Sequence, residues 1–470
     1  MDLRVRGVAG GTGSRQRRSR RSRPSRASAL VVLSAALLAV ACANGRAGNA
    51  PFQDAGDVGG DDATVQPGDA TTSSGDAGTD DPTECGAVTW TSYVGYHMSQ
   101  EQVRHVALGD LDGDGRPDLC STADYGISVR LNNTSPGATM PSFGTNPYFG
   151  VGRQVRGPLA VTDLNADGRL DVAAVNAPQG ISVLLNLTVP GGPLAMSSAS
   201  QFATGEYWNA IAAADLNGDS RPDLAIVKDH TVSVLLNTTI ANNDSPSFAV
   251  QTPLVSSHVV TTIEAGDLNG DGRLDLVGVA RDGTISVFVN TTAPGAASSS
   301  FAAAVDFVAT STSDRTDLAL GDLNADGKID VAVVGDFHTN VHLLLNTTSP
   351  GAATPTFAAA VGFLAGSDPE MVAIGDVNHD GNADLVTTAS NGTPTPNISV
   401  LLNTAPPGAP SLAFSAPSYV AVSLWANNVA IGDLNDDGRN DLAVATRGNG
   451  QPVSCQARGC VNVLLNQCTP

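Results

Sequence analysis

From about residue 88 onward, short apolar runs alternate with clusters of Gly, Pro, Asn and Asp. In each unit one apolar run precedes an Asp-rich turn, as in Val372-Ala-Ile, and a second follows it, as in Leu224-Ala-Ile-Val. A β-branched segment ending in Asn comes next, for example Ile181-Ser-Val-Leu-Leu-Asn186. Runs of this length bounded by turn residues are typical of strands, and no window has sustained helical periodicity. The pattern therefore predicts an all-β protein.

Each of the first six units is predicted to contain a fourth strand opened by Phe. The six candidate residues are Phe143, Phe202, Phe248, Phe301, Phe357 and Phe414. The Asp-rich turns begin at residues 110, 163, 215, 267, 322, 376 and 433, so the unit recurs seven times at a period near fifty residues. Such a period indicates a repeat architecture with four short strands per unit.

The two ends of the repeat region predict how the structure closes. The seventh unit stops at Val461-Asn-Val-Leu-Leu-Asn466 and lacks a fourth strand, whereas a spare strand, Val88–Val94, precedes the first unit. If the spare strand completes the last unit, no sheet edge stays open between the first and last units. The prediction is a seven-bladed β-propeller of four-stranded blades, closed by an N-terminal strand that completes the last blade.

Composition divides the chain into three parts. We predict a signal peptide at residues 1–41, a disordered tether rich in Gly, Asp, Thr and Ser at 42–84, and the propeller at 85–470. The tether offers almost nothing large enough to bury, so its ordering entropy would not be offset. The whole chain has 46 acidic residues against 25 Lys and Arg, a net charge of −21, which argues against nucleic-acid binding.

The N-terminal segment has nine arginines before residue 42 and an apolar run at Ala29–Ala41. This run is too short to cross a bilayer and fits a secretory signal. It ends Leu38-Ala-Val-Ala-Cys42, which resembles the lipobox of bacterial lipoproteins. The resemblance implies cleavage before Cys42, lipidation of that residue and an exported protein anchored to the bacterial membrane, at the outer membrane or cell surface. Ordinary signal cleavage near Ala41 is the alternative.

Five further cysteines lie in the predicted propeller. Cys85 and Cys468 flank the two strands expected to pair at the seam, so we predict a disulfide between them. Cys455 and Cys460 flank a short turn and could bridge a hairpin, while Cys120 falls in a core strand and is expected to pack as a small apolar residue.

The Asp-rich turns have the spacing of a cation site. Asp at position 1, Asp or Asn at 3, Asp at 5 and Asp at 9 place oxygen ligands around one tight turn, with Gly at 6 taking a positive φ and the carbonyl of residue 7 adding an oxygen. Oxygen ligands without His or Cys favour Ca²⁺, with Mg²⁺ second. The candidate ligands in the seven loops are Asp110, Asp112, Asp114, Asp118; Asp163, Asn165, Asp167, Asp171; Asp215, Asn217, Asp219, Asp223; Asp267, Asn269, Asp271, Asp275; Asp322, Asn324, Asp326, Asp330; Asp376, Asn378, Asp380, Asp384; and Asp433, Asn435, Asp437, Asp441.

Charge is concentrated in these loops. Positions 1, 3, 5 and 9 supply 22 of the 36 acidic residues of the predicted propeller, which leaves 14 acids against 15 bases outside these positions. Unpaired carboxylates this close together would repel one another without a cation. We therefore expect up to seven structural Ca²⁺ ions, with the third loop weakest because Ser220 replaces Gly at position 6.

The D-x-[DN]-x-D-G-x-x-D loops resemble the FG-GAP/VCBS repeats of integrin α-chain heads and many bacterial surface proteins, over about residues 88–466. The resemblance implies a seven-bladed propeller with calcium in the loop between the first and second strands of a blade. Phe143-Gly144 and Gly408-Ala-Pro410 are the clearest matches to the motifs that name the family, and the other repeats match these motifs only in part.

Two functions are expected from these features. The first is a calcium-stabilised binding module for an unidentified protein or glycan, monomeric and facing the periplasm or the cell exterior, which uses the face opposite the acidic loops. The second is a carbohydrate-active enzyme, a polysaccharide lyase or glycosidase, which uses the same face and would need facing carboxylates with an Arg or His in one pocket. Motifs for metalloprotease, nucleotide-binding or serine-hydrolase sites are absent from the sequence, so we expect no catalysis.

Overall fold

A computed structural model of the chain describes residues 64–65, 88–98, 102–145, 147–152, 155, 157–176, 180–189, 191–203, 208–309, 316–335, 339–389, 397–423, 425–448 and 459–467. The predicted signal peptide, most of the tether, Cys42 and the Cys85–Cys468 pair lie outside these residues. Within them the secondary structure is entirely β, and no helix is long and apolar enough to span a membrane.

The described strands form seven antiparallel sheets. In the first six, neighbouring strands are consecutive in the chain, apart from a short extra strand in the third. The strands of the first three blades are β3 (Val103–Gly109), β4 (Asp118–Ala123), β5 (Gly126–Arg130) and β6 (Tyr148–Gly150); β7 (Leu159–Thr162), β8 (Asp171–Asn176), β9 (Gly180–Leu184) and β10 (Ser200–Phe202); β11 (Ala210–Ala214), β12 (Asp223–Lys228), β13 (Thr231–Asn237), β14 (Phe248–Val250) and the short β15 (Leu254–Val255).

Blades 4 to 6 repeat the arrangement, each with four strands. They are β16 (Val260–Gly266), β17 (Asp275–Ala280), β18 (Thr284–Phe288) and β19 (Val305–Val308); β20 (Thr316–Gly321), β21 (Asp330–Gly335), β22 (Asn340–Leu344) and β23 (Val361–Leu364); β24 (Pro369–Gly375), β25 (Asp384–Ala389), β26 (Ile398–Leu401) and β27 (Ser418–Val420). The structure is the predicted all-β, seven-bladed propeller.

The seventh blade combines both ends of the described chain. Strands β28 (Ala426–Gly432), β29 (Asp441–Thr446) and β30 (Cys460–Leu464) are completed by the N-terminal β2 (Val94–Tyr96), which pairs antiparallel with β30. An isolated bridge between Trp90 and Asn466 extends this pairing. The predicted closure is confirmed, although the regular strand begins six residues later than expected. Strand β1 (Thr64–Val65) adds a fifth strand beside β2, which the sequence did not predict.

The core lies between neighbouring blades, because each sheet presents apolar side chains on both faces. Leu164 and Val175 of blade 2, for example, pack with Ile211 and Leu235 of blade 3 in one buried cluster. The residue that ends the first strand of a blade is often Gly, because a side chain there would collide with the neighbouring blade. A Cβ at Gly321 would lie 2.9 Å from Ile374 Cγ2 of the next blade.

The predicted role of the Phe residues holds for five of the six. Phe143, Phe248, Phe301, Phe357 and Phe414 each bridge the Asn that ends the third strand of their blade. The prediction for Phe202 is wrong: Met196 bridges Asn186 in blade 2, and Phe202 pairs with Ile181 farther along the strand. An apolar side chain of similar length fills the place, so the position requires an apolar contact rather than an aromatic ring.

Two cysteine predictions can be followed. Cys120 is a free, fully buried thiol in β4, as expected, and burial raises its pKa. Cys460 is disulfide-bonded, and its partner lies outside the described residues.

Candidate metal centres and the loops that carry them

Each Asp-rich loop joins the first and second strands of a blade. The first strand ends at or just before position 1, and the Asp at position 9 is the first residue of the second strand in all seven blades. Alternating strand direction places these loops and the connections between third and fourth strands on one face, the loop face. The turns between second and third strands and the connections between blades lie on the other, the opposite face.

The Asp at position 1 organises the turn. Its Oδ1 accepts the N–H of residue 5 and its Oδ2 accepts the N–H of residue 6, at 2.7–2.9 Å for the second bond, in every loop. Residues 4 and 6 both have positive φ. The sequence predicted this only for position 6, where Ser220 has φ 67° in the third loop. The positive φ at position 4 was not predicted, because this position holds Gly, Ala, His or Asp in different loops and this mixture does not indicate a left-handed conformation.

The Asp at position 9 is buried and fixed by the backbone. Its Oδ2 accepts the N–H of residue 2 at 2.8–3.0 Å, and its Oδ1 accepts the N–H of the Asn that ends the third strand at 2.6–2.7 Å. Burial nonetheless raises the pKa of these carboxyl groups, to about 6 for Asp275 and about 7 for Asp118, Asp171, Asp223, Asp330, Asp384 and Asp441. A nearby cation would favour the ionised form.

Positions 1, 3 and 9 come together, whereas position 5 is partly turned aside. In the first loop one oxygen each of Asp110, Asp112 and Asp118 lie within 4.8 Å of one another, and Asp114 is not part of this group. The residue at position 7 explains the difference, because Arg116 pairs with Asp114. The same pairing joins positions 7 and 5 in four other loops, through Arg169, Arg221, Arg273 and Arg439. The premise that all the loop carboxylates are unpaired is therefore wrong for position 5.

The donors that remain fit a hard cation. Asn165, Asn324 and Asn435 at position 3 each have a buried Oδ1 with no hydrogen-bond partner among the described residues. An unsatisfied buried carbonyl oxygen beside two carboxylates is costly unless a cation or water meets it. The oxygens of positions 1, 3 and 9 would hold Ca²⁺, and the ion would supply the positive charge that these carboxylates need.

The Asn that ends each third strand was seen in the repeat but given no role. Its Nδ2 donates to the carbonyl of residue 8 in its own loop and to the carbonyl of residue 2 in the loop of the preceding blade, at 2.6–3.1 Å. These residues, called the staple asparagines, are Asn132, Asn186, Asn237, Asn290, Asn346, Asn403 and Asn466. Each one joins two loops.

Position 3 makes a second link between blades. In five loops the Asn Nδ2 donates to a carbonyl in the connection between the third and fourth strands of the next blade, for example Asn217 to Ala296 at 3.0 Å. The backbone returns the contact, since Gly295 N–H donates to the Asn217 carbonyl at 2.6 Å. Asp112 of the first loop has no amide group to donate. The preference for Asn at position 3 thus reflects blade docking as well as cation binding.

Within the described residues, the opposite face has an ion pair between Arg104 and Asp124 at 3.6 Å and a polar cluster around His258. His258 Nδ1 lies 2.5 Å from Asp282 Oδ2, and His258 Nε2 lies 3.5 Å from Asp306 Oδ2. Ser286 donates to Asp306 Oδ1 at 2.7 Å. The hydrogen bond from His258 lowers the pKa of Asp282 despite the opposing effect of partial burial. Other polar and aromatic residues in the turns and connections predicted for this face lie outside the described residues: Arg153, Arg156, Tyr207, Asp314, Arg315, Phe337 and His338.

Comparison with known proteins supports the repeat assignment. The family model described as FG-GAP-like repeat matches residues 163–226, 215–278, 267–333 and 322–387, each match running from one acidic loop to the next. A search of curated proteins found no match.

Solved structures match the chain at low identity and with TM-scores below 0.5. An Agrocybe aegerita lectin, from a study of recognition of non-reducing terminal N-acetylglucosamine, is 18% identical, with 68% of this chain and 82% of the lectin covered and a TM-score of 0.46. BBS1N in complex with ARL6DN is 12% identical, covers 79% and 94% of the two chains and has a TM-score of 0.49. The Photorhabdus luminescens Tc holotoxin pore is 15% identical, covers 81% and 14%, and has a TM-score of 0.39.

Four consecutive repeat matches, together with the same loop in all seven blades, identify the chain as an FG-GAP repeat protein that folds into a seven-bladed β-propeller.

Proposed function

We propose that this protein is an exported, lipid-anchored binding module whose propeller is stabilised by up to seven Ca²⁺ ions and whose opposite face binds a protein or glycan. The observation that carries the metal part is the trio of unsatisfied oxygens at Asn165, Asn324 and Asn435. They occupy position 3, whose side chain comes together with positions 1 and 9 in the first loop. The anchor is inferred from the sequence ending at Cys42.

The role of the metal in this proposal is structural. Each loop is tied to the next blade by a staple asparagine and, in five loops, by position 3. A cation that fixes the loop therefore also fixes the docking surface of the neighbouring blade. Extracellular sites of this class bind Ca²⁺ with Kd of roughly 0.1–1 mM. At about 1 mM free calcium, a site with Kd of about 0.1 mM would add about 1.4 kcal/mol.

The opposite face supports the binding part because its connections differ between blades. Three residues there, Asp229, Asp368 and Trp425, have positive φ although none is Gly. Backbone strain of this kind costs energy and tends to occur at functional sites. Arg447 stacks over the Trp425 ring at 6.0 Å, and Tyr125 is half exposed. Aromatic and Arg side chains on rigid loops are favoured at interfaces.

The polar cluster on this face supports binding over catalysis. Both ring nitrogens of His258 face carboxylates, Asp282 on one side and Asp306 on the other. Nδ1 is hydrogen-bonded to Asp282, and Nε2 lies at ion-pair distance from Asp306, so the imidazole is held between two carboxylates of the protein. The arrangement suits a surface ion-pair network better than the acid and base of a glycosidase.

A glycan and protein array probed with residues 85–470 tests the proposal, once with calcium and once with excess chelator. We expect specific binding in calcium that is lost on chelation. A matched variant, Trp425→Ala, should lose binding while keeping the wild-type melting temperature in calcium. Release of reducing or unsaturated sugar ends from an array hit would contradict the binding assignment, and light scattering would test the expected monomer.

A further inference from the structure

A cavity of about 300 Å³ lies among the first strands, on the axis of the propeller. Most of its wall is aliphatic. The residue three places before the first loop Asp is Ala in every blade except the fourth. Four of these six alanines line the cavity: Ala107, Ala319, Ala373 and Ala430. Blade 4 has Glu264 at the equivalent place. Among the residues at this position around the axis, Glu264 is therefore the one carboxylate and the others are alanines.

Glu264 is 5% exposed and has a second carboxylate close by. Its Oε2 accepts the N–H of Leu320 at 3.1 Å. Asp317 of the next blade is fully buried; its Oδ2 accepts the N–H of Val372 at 3.1 Å, and its Oδ1 has no hydrogen-bond partner among the described residues. Burial, followed by repulsion from Asp317, raises the pKa of Glu264.

The described residues that line the cavity include no Lys or Arg. Its other titratable side chains are His105 and Asp322, and Asp322 accepts two backbone N–H groups of its own loop. A buried carboxylate without a cationic partner is costly. A ligand that brings a positive charge would remove that cost.

The walls indicate which cation fits. Ca²⁺ and Mg²⁺ need six or more oxygen ligands, and the cavity offers far fewer around Glu264. An organic ammonium ion needs one or two acceptors for its nitrogen and apolar surface for its alkyl part. A polar donor also lines the cavity at Asn428, whose Oδ1 accepts Val106 N–H at 2.8 Å, while its Nδ2 has only the Met371 sulfur at 3.7 Å.

We propose that the central cavity binds a small organic ammonium ion, with the nitrogen on Glu264 and the alkyl part against the alanine and branched aliphatic walls. Asp322 of the fifth loop lines part of this cavity, but the proposed ammonium site is at Glu264, which is not one of the loop ligands, and it lies away from the opposite face. The cavity volume is at the small end of the range for ligand pockets, which limits the ligand to a short chain.

Calorimetric titration of the full propeller with hexylammonium chloride, in excess calcium, tests the proposal. Hexanol is the matched neutral probe. Wild type should bind hexylammonium at least about tenfold more tightly than hexanol, because only the ammonium pairs with Glu264. Glu264→Gln should lose about tenfold in affinity or more, since Gln keeps an acceptor for Leu320 N–H and removes the charge.

Two further variants distinguish loss of the ammonium site from loss of the folded structure. Ala373→Leu should block hexylammonium by filling the cavity while leaving Glu264 in place. Asp306→Asn, on the outer strand of the same blade as Glu264, should bind like wild type. Equal binding of hexylammonium and hexanol, equal binding by Glu264→Gln, or no binding by wild type would each overturn the proposal and leave Glu264 as a protonated structural acceptor. None of these results bears on the array ligand of the opposite face.

Discussion

At the loop face, an Asp begins the second strand of every blade and accepts the same two backbone N–H groups, whereas at the opposite face the connections change from blade to blade. The loop of blade 4 and that of blade 5 are nearly superimposable in their hydrogen bonds. At the opposite face the described turns differ, since blade 4 has Asp282 paired with His258 in a turn of three residues, 281–283, whereas the turn of blade 3 has two, Asp229 and His230. The difference indicates that one face is constrained by a role that all blades share, while the other is free to fit a particular partner.

The pH dependence of the metal-free protein should show the largest effect at the loop face. The pKa of the position 9 Asp is raised to about 7 in six loops, above the unfolded value of about 3.9. The stabilising effect of protonation is then fully present below about pH 4 and is lost as the pH rises through about 7. A pKa shift of even one unit changes the free energy of unfolding by about 1.4 kcal/mol per loop, or by about 10 kcal/mol for seven loops.

Urea melts of chelated protein between pH 4 and pH 8 would measure this trend. Calcium should flatten the profile, because the ion keeps the carboxylates charged. Metal-free protein that becomes more stable as the pH rises toward 8 would contradict the burial of these groups.

Removal of one position 9 carboxylate should have the next largest effect. Asp275→Ala leaves the N–H groups of Leu268 and Asn290 buried without acceptors, so the free energy of unfolding should fall by about 3–5 kcal/mol. Thermal unfolding in calcium is the measurement. Asp306→Asn, on the opposite face of the same blade, is the matched control and should cost less than about 1 kcal/mol. Equal losses would remove the distinction between the faces.

Loss of a staple asparagine should be somewhat milder. Asn132→Ala removes the bonds of Nδ2 to the carbonyls of Pro117 and Leu434, and the bond of Oδ1 with Thr134 N–H, all at 2.9 Å. We expect a loss of about 2–4 kcal/mol. The neighbouring, exposed Asn133→Ala should stay within about 0.5 kcal/mol of wild type. If both variants melt alike, the staple does not join the blades.

The smallest expected effect is at the third loop, where a substitution should increase the stability of the protein. Ser220 has φ 67°, where the other six loops have Gly. Ser220→Gly should raise the free energy of unfolding by about 0.5–1 kcal/mol, because relief of the strain exceeds the added freedom of the unfolded chain. It should also tighten calcium at that loop, which titration calorimetry can resolve. Gly272→Ser in the fourth loop should cause the opposite change.

The sequence predicted the parts of the fold that repeat and missed those that depend on contacts between blades. Loop positions, strand order and closure by the N-terminal strand followed from period and turn chemistry. The pairing of Arg116 with Asp114 was missed, because the cation-site motif uses only the backbone carbonyl of position 7 and predicts no contact for the side chain of that residue. Phe202 was assigned to a place that Met196 occupies, since either side chain fills that space. Glu264 stands out only when the first strands are aligned around the axis.

In the proposed structure, cations in the acidic loops hold the blades together. A thermal melt at neutral pH, once with calcium and once with excess chelator, measures how much they contribute. With about 1.4 kcal/mol per site, seven sites amount to about 10 kcal/mol, which is comparable to the stability of a whole domain. The account predicts a large fall in the melting temperature on chelation, reversed by added Ca²⁺. An unchanged melting temperature would contradict it.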